Sequence, residues 1–362
     1  NNTTHKIIER LCFIMKKIDF TIILMVLLTC IGCESRQTPD TDATKLYPAK
    51  DSLGESWGFI NGKGNFVIQP SFDKVSVFSC GYAKVEKDGA CKFIDKKGNI
   101  CSTISFDNAS DFYYGYSTFL LDGEYGLLDK NMNMVIQPHF KALGLMGDNG
   151  LIAAKRAYDS NYEYIDVNEN TKIHPIFDYA EAFKDGIAIV KVSGKYGAIN
   201  SSGDFVIQPT YKYRLDNLGK GLVAYHSDDF KVGILNKQGD VVVTDQYYSI
   251  GAVSDGLMLF MSKTEWGYMD TKGEIVIPAM YSQANPFREG YAWVKTSTFG
   301  NYYCIDKTAK VIFELADGEE PITDFHNGLS LVQSHDSCKY VNTKGNVIYS
   351  WPGTADSIWD LF

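Results

Sequence analysis

Apolar residues in this chain fall in short runs bounded by glycine, proline or asparagine, and beyond the first thirty or so residues none shows the 3.6-residue spacing of an amphipathic helix. Trp57-Gly58-Phe59-Ile60-Asn61 is one such run and Phe66-Val67-Ile68-Gln69 the next, with Gly62-Lys63-Gly64-Asn65 between them. Glycine-containing loops of this length close β-hairpins. The pattern therefore predicts two antiparallel strands, the second ended at Pro70 because proline has no amide to give to a ladder. Residues 72–78 then cross over, Gly81-Tyr82-Ala83-Lys84-Val85 returns as a third strand, and Lys87-Asp88-Gly89 turns into the following segment.

This unit recurs. Tyr125-Gly126-Leu127-Leu128-Asp129 with Val135-Ile136-Gln137-Pro138 repeats it, as does Tyr196-Gly197-Ala198-Ile199-Asn200 with Val206-Ile207-Gln208-Pro209. The fullest copy is Trp266-Gly267-Tyr268-Met269-Asp270 with Ile275-Val276-Ile277-Pro278. Weaker copies begin at Cys91, Tyr162, Val232, Tyr302 and Cys338, so that nine anchors stand 34 to 37 residues apart. Three short strands cannot bury an apolar face alone, and each unit must stack on its neighbours.

Trp-Gly-x-Ile-Asp/Asn, then Gly, then Val-Ile-x-Pro, then Tyr/Phe-Asp and Phe-x-x-Gly-x-Ala resembles the WG repeat, over about residues 51–349. The structural anchors carrying the resemblance are Trp57, Gly58, Tyr125, Gly126, Tyr196, Gly197, Trp266 and Gly267. The pattern is lost at Cys91-Lys92, Tyr302-Tyr303 and Cys338-Lys339. The fold class expected is all-β: a tandem array of about nine three-stranded units, propeller-like in preference to an open β-solenoid. Propeller blades are usually four-stranded and number about 4–8, which places nine units at or past that edge. The resemblance implies interaction rather than catalysis.

Met15-Lys16-Lys17, the apolar run Phe20–Leu28 and Thr29-Cys30-Ile31-Gly32-Cys33 have the layout of a secretory signal over residues 1–32, with the true start expected at Met15. The run is shorter than the ~20 residues that span a bilayer. Its end resembles a bacterial lipobox, which implies cleavage before Cys33 and lipidation there, with Cys30 as the alternative. Two or more acyl chains hold a protein stably on a membrane. Residues 33–50 read as a lipidated flexible tether, 51–349 as the repeat domain and 350–362 as an aromatic tail able to close the array against the first unit near Trp57.

Composition narrows the functional classes. A net charge of −9 and a pI near 5.2, without a basic stripe, exclude a nucleic-acid partner. Gly54-Glu55-Ser56-Trp57-Gly58 matches a nucleophile elbow in letters, but the elbow needs a helix after the strand. Asp166-Val167-Asn168-Glu169-Asn170 opens like a calcium loop, yet Thr171 and Phe177 stand where Gly and Glu are required. The six histidines are scattered, and neither metal nor cofactor is expected. Cys91 and Cys338 read as small core substitutes for the anchor aromatic, and a bridge from Cys91 or Cys80 to Cys101 is an open alternative. The anchor aromatics are expected in the core. Trp293 alternates away from Ala292 and Val294, which makes it the candidate ligand contact, with packing on a neighbouring unit as the other outcome.

The function expected is a non-enzymatic, lipid-anchored binding or adaptor protein of the cell envelope, facing the periplasm or exterior. Its partners would be the membrane, through the anchor, and a protein or glycan ligand. A glycan- or peptidoglycan-binding repeat protein is the alternative, and an enzyme with a site assembled from loops a more distant one.

Overall fold

The computed structural model of the chain describes residues 45–355 and 358–359, among which there is no helix. The expected signal segment, Cys30 and Cys33 lie outside the described residues.

The chain builds nine antiparallel units in sequence. The first is three-stranded: Leu46–Lys50, Trp57–Asn61 and Phe66–Phe72. The fifth, Tyr179–Ala180, Ile187–Val192, Lys195–Asn200 and Phe205–Tyr211, shows the full four-strand plan of one short strand and three longer ones. Units three and four are fused into one seven-stranded sheet because Met134–Met146 runs from the edge of one into the start of the other.

Three expectations need correcting. All units but the first have four strands, since the crossover of residues 72–78 contains a short strand, Lys74–Ser76. The sheets are also out of phase with the sequence repeat: Tyr82–Lys87 pairs with Lys74–Ser76 and with Ala90–Asp95 of the following repeat, not with the Trp57–Asn61 and Phe66–Phe72 hairpin of its own. As a result Trp57–Asn61 needs a partner from outside the repeats. Leu46–Lys50 supplies it, so residues 46–50 belong to the fold and not to the tether. Finally, Pro70 does not end its strand. Gln69, Pro70 and Ser71 bulge opposite the single residue Gly58, and pairing resumes at Trp57 with Phe72. A proline is tolerated there because the strand lies at a sheet edge, where its missing amide breaks no ladder bond.

The bulge explains the glycine of the motif. A Cβ on Gly58 would lie 2.5 Å from the Ile68 carbonyl oxygen and 2.7 Å from the Pro70 nitrogen; one on Gly197 would meet Ile207 and Pro209 in the same way. Where Tyr303 and Lys339 take the glycine position, the adjoining strand runs without this bulge, Tyr303 pairing with Glu314 and Lys339 with Ser350. The Asp or Asn that closes the motif has its own task. In all nine units its side-chain oxygen accepts the backbone amides two and four residues on, as Asn61 does from Lys63 and Asn65 and Asp166 from Asn168 and Asn170. These Asx turns are the local alternative to a ladder that short polar side chains offer, and they account for the calcium-like spelling at Asp166.

The core lies between units. Phe93, Phe106 and Phe119 join the second to the third, Ile173, Ala188 and Ile199 the fourth to the fifth, and Trp293, Phe325 and Val332 the eighth to the ninth. One cluster joins the first unit to both the second and the ninth, with Tyr47, Trp57 and Phe59 beside Val75 and Ala83 on one side and Tyr340 and Trp351 on the other. The array is therefore closed. Trp351, from the expected tail, packs edge-on to Trp57 at 6.0 Å, and the tail extends the ninth unit as Val347–Pro352. Beyond it, Ile358–Trp359 pairs in parallel with Lys74–Ser76 of the second unit.

Candidate interaction surface

The anchors divide by burial. Trp57 is fully buried under Trp351 and Lys50, whose ammonium sits 5.2 Å from its ring. Tyr125, Tyr196 and Trp266 are half-buried and pack against the core clusters from their edge, so of the four anchors expected in the core only Trp57 is fully enclosed. The residue two places on takes that role: Phe59, Leu127, Ala198 and Tyr268 are all inaccessible. The reason lies in the strand position, since the anchor faces the last residues of the preceding strand, and lysines there cover the ring. Lys155 over Tyr162, Lys191 over Tyr196 and Lys295 over Tyr302 repeat the Lys50–Trp57 pair.

Trp293 is not a ligand contact. It has no exposed surface, stacks on Phe325 at 5.3 Å and donates its indole N–H to Ser330 Oγ at 3.0 Å. Alternation does turn it away from Ala292 and Val294, but in a stacked array both faces of a central strand are covered, so the opposite direction is the neighbouring unit and not solvent. Cys91 and Cys101 carry free thiols, which removes the bridge considered between them and the one from Cys80 to Cys101. Ser56 sits at a turn before a strand, its carbonyl oxygen accepting from the Asp51 amide, and no helix follows.

Two polar features were not foreseen. At the short strands Ser76, Ser110 and Thr323 accept the backbone amide eight residues on, those of Lys84, Thr118 and Leu331. Units five and six replace this hydroxyl with Glu181 and Asp216. Glu181 Oε1 receives Arg214 Nε at 3.1 Å, Arg214 Nη2 at 2.5 Å and the Tyr179 hydroxyl at 3.0 Å; Asp216 adjoins His226 at 3.3 Å. Burial raises the Glu181 carboxyl, opposed by Arg214. The pair with Arg214 ties the fifth unit to the sixth. The second feature is a cleft of about 40 Å³ at the closure, lined by Lys45, Tyr47, Phe78, Lys96, His326 and Tyr340. It has room for a water or two and no more.

The two ends of the array differ. Turns between the first and second strands lean on one another: Asp185 accepts the Lys220 amide, Asp255 that of Gly290, and Glu289 those of Asn327 and Gly328. Turns between the second and third strands, to which the turn from Leu46–Lys50 to Trp57–Asn61 corresponds in the three-stranded first unit, lie at the opposite end, because the strands are antiparallel, and at four of them a large apolar side chain stands in solvent. These are Leu53, Tyr158, Phe230 and Phe299, exposed by 72%, 101%, 75% and 98%. Sequence reasoning passed over them because they lie in the variable turns that the repeat does not specify.

Fold and surface together define a ring of stacked, repeated β-sheets of the propeller-like kind, with its variable residues in the turns. The WG containing repeat matches residues 57–90, 93–125, 125–156, 164–196, 196–222 and 266–297, more than half of the sequence, and the chain belongs to that family. Residues 223–265 and 298–352 keep the architecture outside the matched segments. No curated protein matches in sequence. Among solved structures the chain is similar to a eukaryotic initiation factor, with 11% identity over 86% of this chain and 96% of the other and a TM-score of 0.61. It is also similar to the computationally designed Ika8 protein, with 13% identity over 77% of this chain and 96% of the other and a TM-score of 0.46. BamB from Moraxella catarrhalis gives 12% identity over 68% and 85% and a TM-score of 0.38. At such identities the first likeness concerns the fold alone.

Proposed function

We propose that the protein is a non-enzymatic binding scaffold of the cell envelope, held to a membrane by lipid at Cys33 and facing the periplasm or exterior. What carries the reading is that the repeated residues are spent on the ring itself. The motif glycines make room for the bulge, the Asp or Asn caps the turn, and the aromatics fill or line the joints, so specificity falls to the turns between strands. The anchor rests on the sequence Gly32-Cys33 after a short apolar run. A glycan-binding surface has less in its favour now that Trp293 is buried.

Detergent partitioning with mass spectrometry of the mature amino terminus tests the anchor. The natural chain should partition into detergent with acyl groups on Cys33, and Cys33→Ser should not. Acylation at Cys30, or at neither cysteine, would reject the anchor while leaving the ring and its surface untouched.

A further inference from the structure

We propose that the end of the ring formed by the second-to-third turns is the docking face, and that its occupant is a broad protein surface carrying basic groups. The inference deepens the scaffold reading and rests on it, but does not need the lipid.

Four observations lead there. The exposed Leu53, Tyr158, Phe230 and Phe299 occupy turns at equivalent positions in the first, fourth, sixth and eighth units, so they stand at one end of the ring and none is next to another. Rigid apolar side chains presented on turns are effective anchors at protein interfaces. Their distribution around a ring suits a broad surface that meets several tips at once, and not a single extended polymer lying in a groove. The turns themselves are acidic, with eight acidic residues against two basic ones, Lys231 and Lys263, while Lys50, Lys87, Arg156, Lys195 and Lys295 lie on the strand ends behind them. Lys231 lies over the Tyr248 ring, and the nearby Lys212 pairs with Asp228. Glu55, Asp159 and Asp229, beside three of the four tips, enter no ion pair among the described residues. Acidic tips of this kind are complementary to a basic protein and not to anionic lipid headgroups. Finally, the described chain begins at Lys45 and enters Leu46–Lys50 from the other end of the ring, so the face points away from the entering segment.

The test is site-specific photo-crosslinking of the full-length protein in the cells that make it. A photoreactive phenylalanine analogue replaces Phe230 or Phe299, or, at the opposite end, Lys63 or Lys344. All four sites are exposed, and an unchanged melting temperature confirms folding. The expected result is one and the same protein adduct from both tips and none from Lys63 or Lys344. The cross-linked segment should be rich in Lys or Arg, and the yield should fall about tenfold in Asp159→Lys/Asp229→Lys. Adducts only at Lys63 or Lys344 would overturn the docking face and keep the scaffold reading. Adducts of lipid or glycan at the tips, or protein adducts indifferent to the charge reversal, would overturn the occupant. No adduct at any of the four sites would overturn both.

Discussion

The Tyr340 hydroxyl donates a hydrogen bond of 2.9 Å to the carbonyl oxygen of Pro48, across 292 residues of sequence. Tyrosines at the equivalent place also bridge units that follow one another directly, but to a different strand: Tyr164 donates to the Glu181 carbonyl oxygen and Tyr268 to that of Asn285, both 17 residues on and both just after the short strand that opens the next unit. The first unit has no such short strand, so at the seam the tyrosine hydroxyl reaches Leu46–Lys50 directly, with Tyr47 adding a bond to the Asn327 carbonyl oxygen.

Tyr340→Phe should leave the buried Pro48 carbonyl oxygen unpaired and lower stability by about 1–3 kcal/mol. Denaturant melts of the purified domain measure it. A matching loss in Tyr268→Phe would show that the hydroxyl bond is as strong at the seam as at an internal joint.

Removing Phe299–Phe362 strips Tyr340 and Trp351 from the first unit and exposes Tyr47, Trp57 and the edge Leu46–Lys50. The truncated chain is expected to aggregate or to lose its cooperative melt. A soluble truncation that melts cooperatively would mean that the units stand as a linear stack.

Gly58→Ala and Gly197→Ala each drive a methyl group into backbone of the bulged strand, and each should lower stability by about 1–3 kcal/mol or more. Gly62→Ala is the control, since its Cβ would meet nothing within 4 Å. Thermal melts of the three variants decide the matter, and equal melting temperatures would remove the account given of the motif glycine.

Trp293→Ala removes a fully enclosed side chain and an internal hydrogen bond, a loss of about 3–5 kcal/mol. Trp266→Ala, at a half-buried position, should lose clearly less. Urea titrations side by side test the order of the two.

Asp166 predicts a dependence on acid. The Asn170 side-chain amide, against a small desolvation, and then the Asn170 amide, Lys172 and the Asn168 amide hold its carboxyl well below the usual carboxylate range. A carboxyl lowered in the folded state contributes stability above its unfolded value near 4, and that contribution fades as pH falls below it toward the folded value. Asp166→Asn, the residue found in the same place at Asn200 and Asn236, should melt much like the natural protein at pH 7 while losing less on acidification. Melts at pH 7 and pH 3 supply the comparison.

The nine units were legible because the anchors and turn glycines recur at near-constant spacing, and the strands follow from them. Phase was not legible: nothing in Tyr82–Lys87 says that it pairs forward, so Leu46–Lys50, which lies before the first Trp-Gly, read as tether. The motif glycine was visible as a letter, while its cause, three residues bulged against one, depends on the neighbouring strand. Trp293 shows the same limit, since strand alternation gives a side chain's direction and not what stands there. Leu53, Tyr158, Phe230 and Phe299 were silent because a repeat reading attends to what recurs.

The strand Leu46–Lys50 lies antiparallel to Trp57–Asn61 along its whole length, five residues against five, and the chain enters it at Lys45. Tension arriving through the preceding segment while the far face is held would pull this strand along its own axis. Its ladder bonds are then loaded together in shear rather than opened one at a time. A ring closed in this way is also a mechanical coupling, and it resists tension best along that strand.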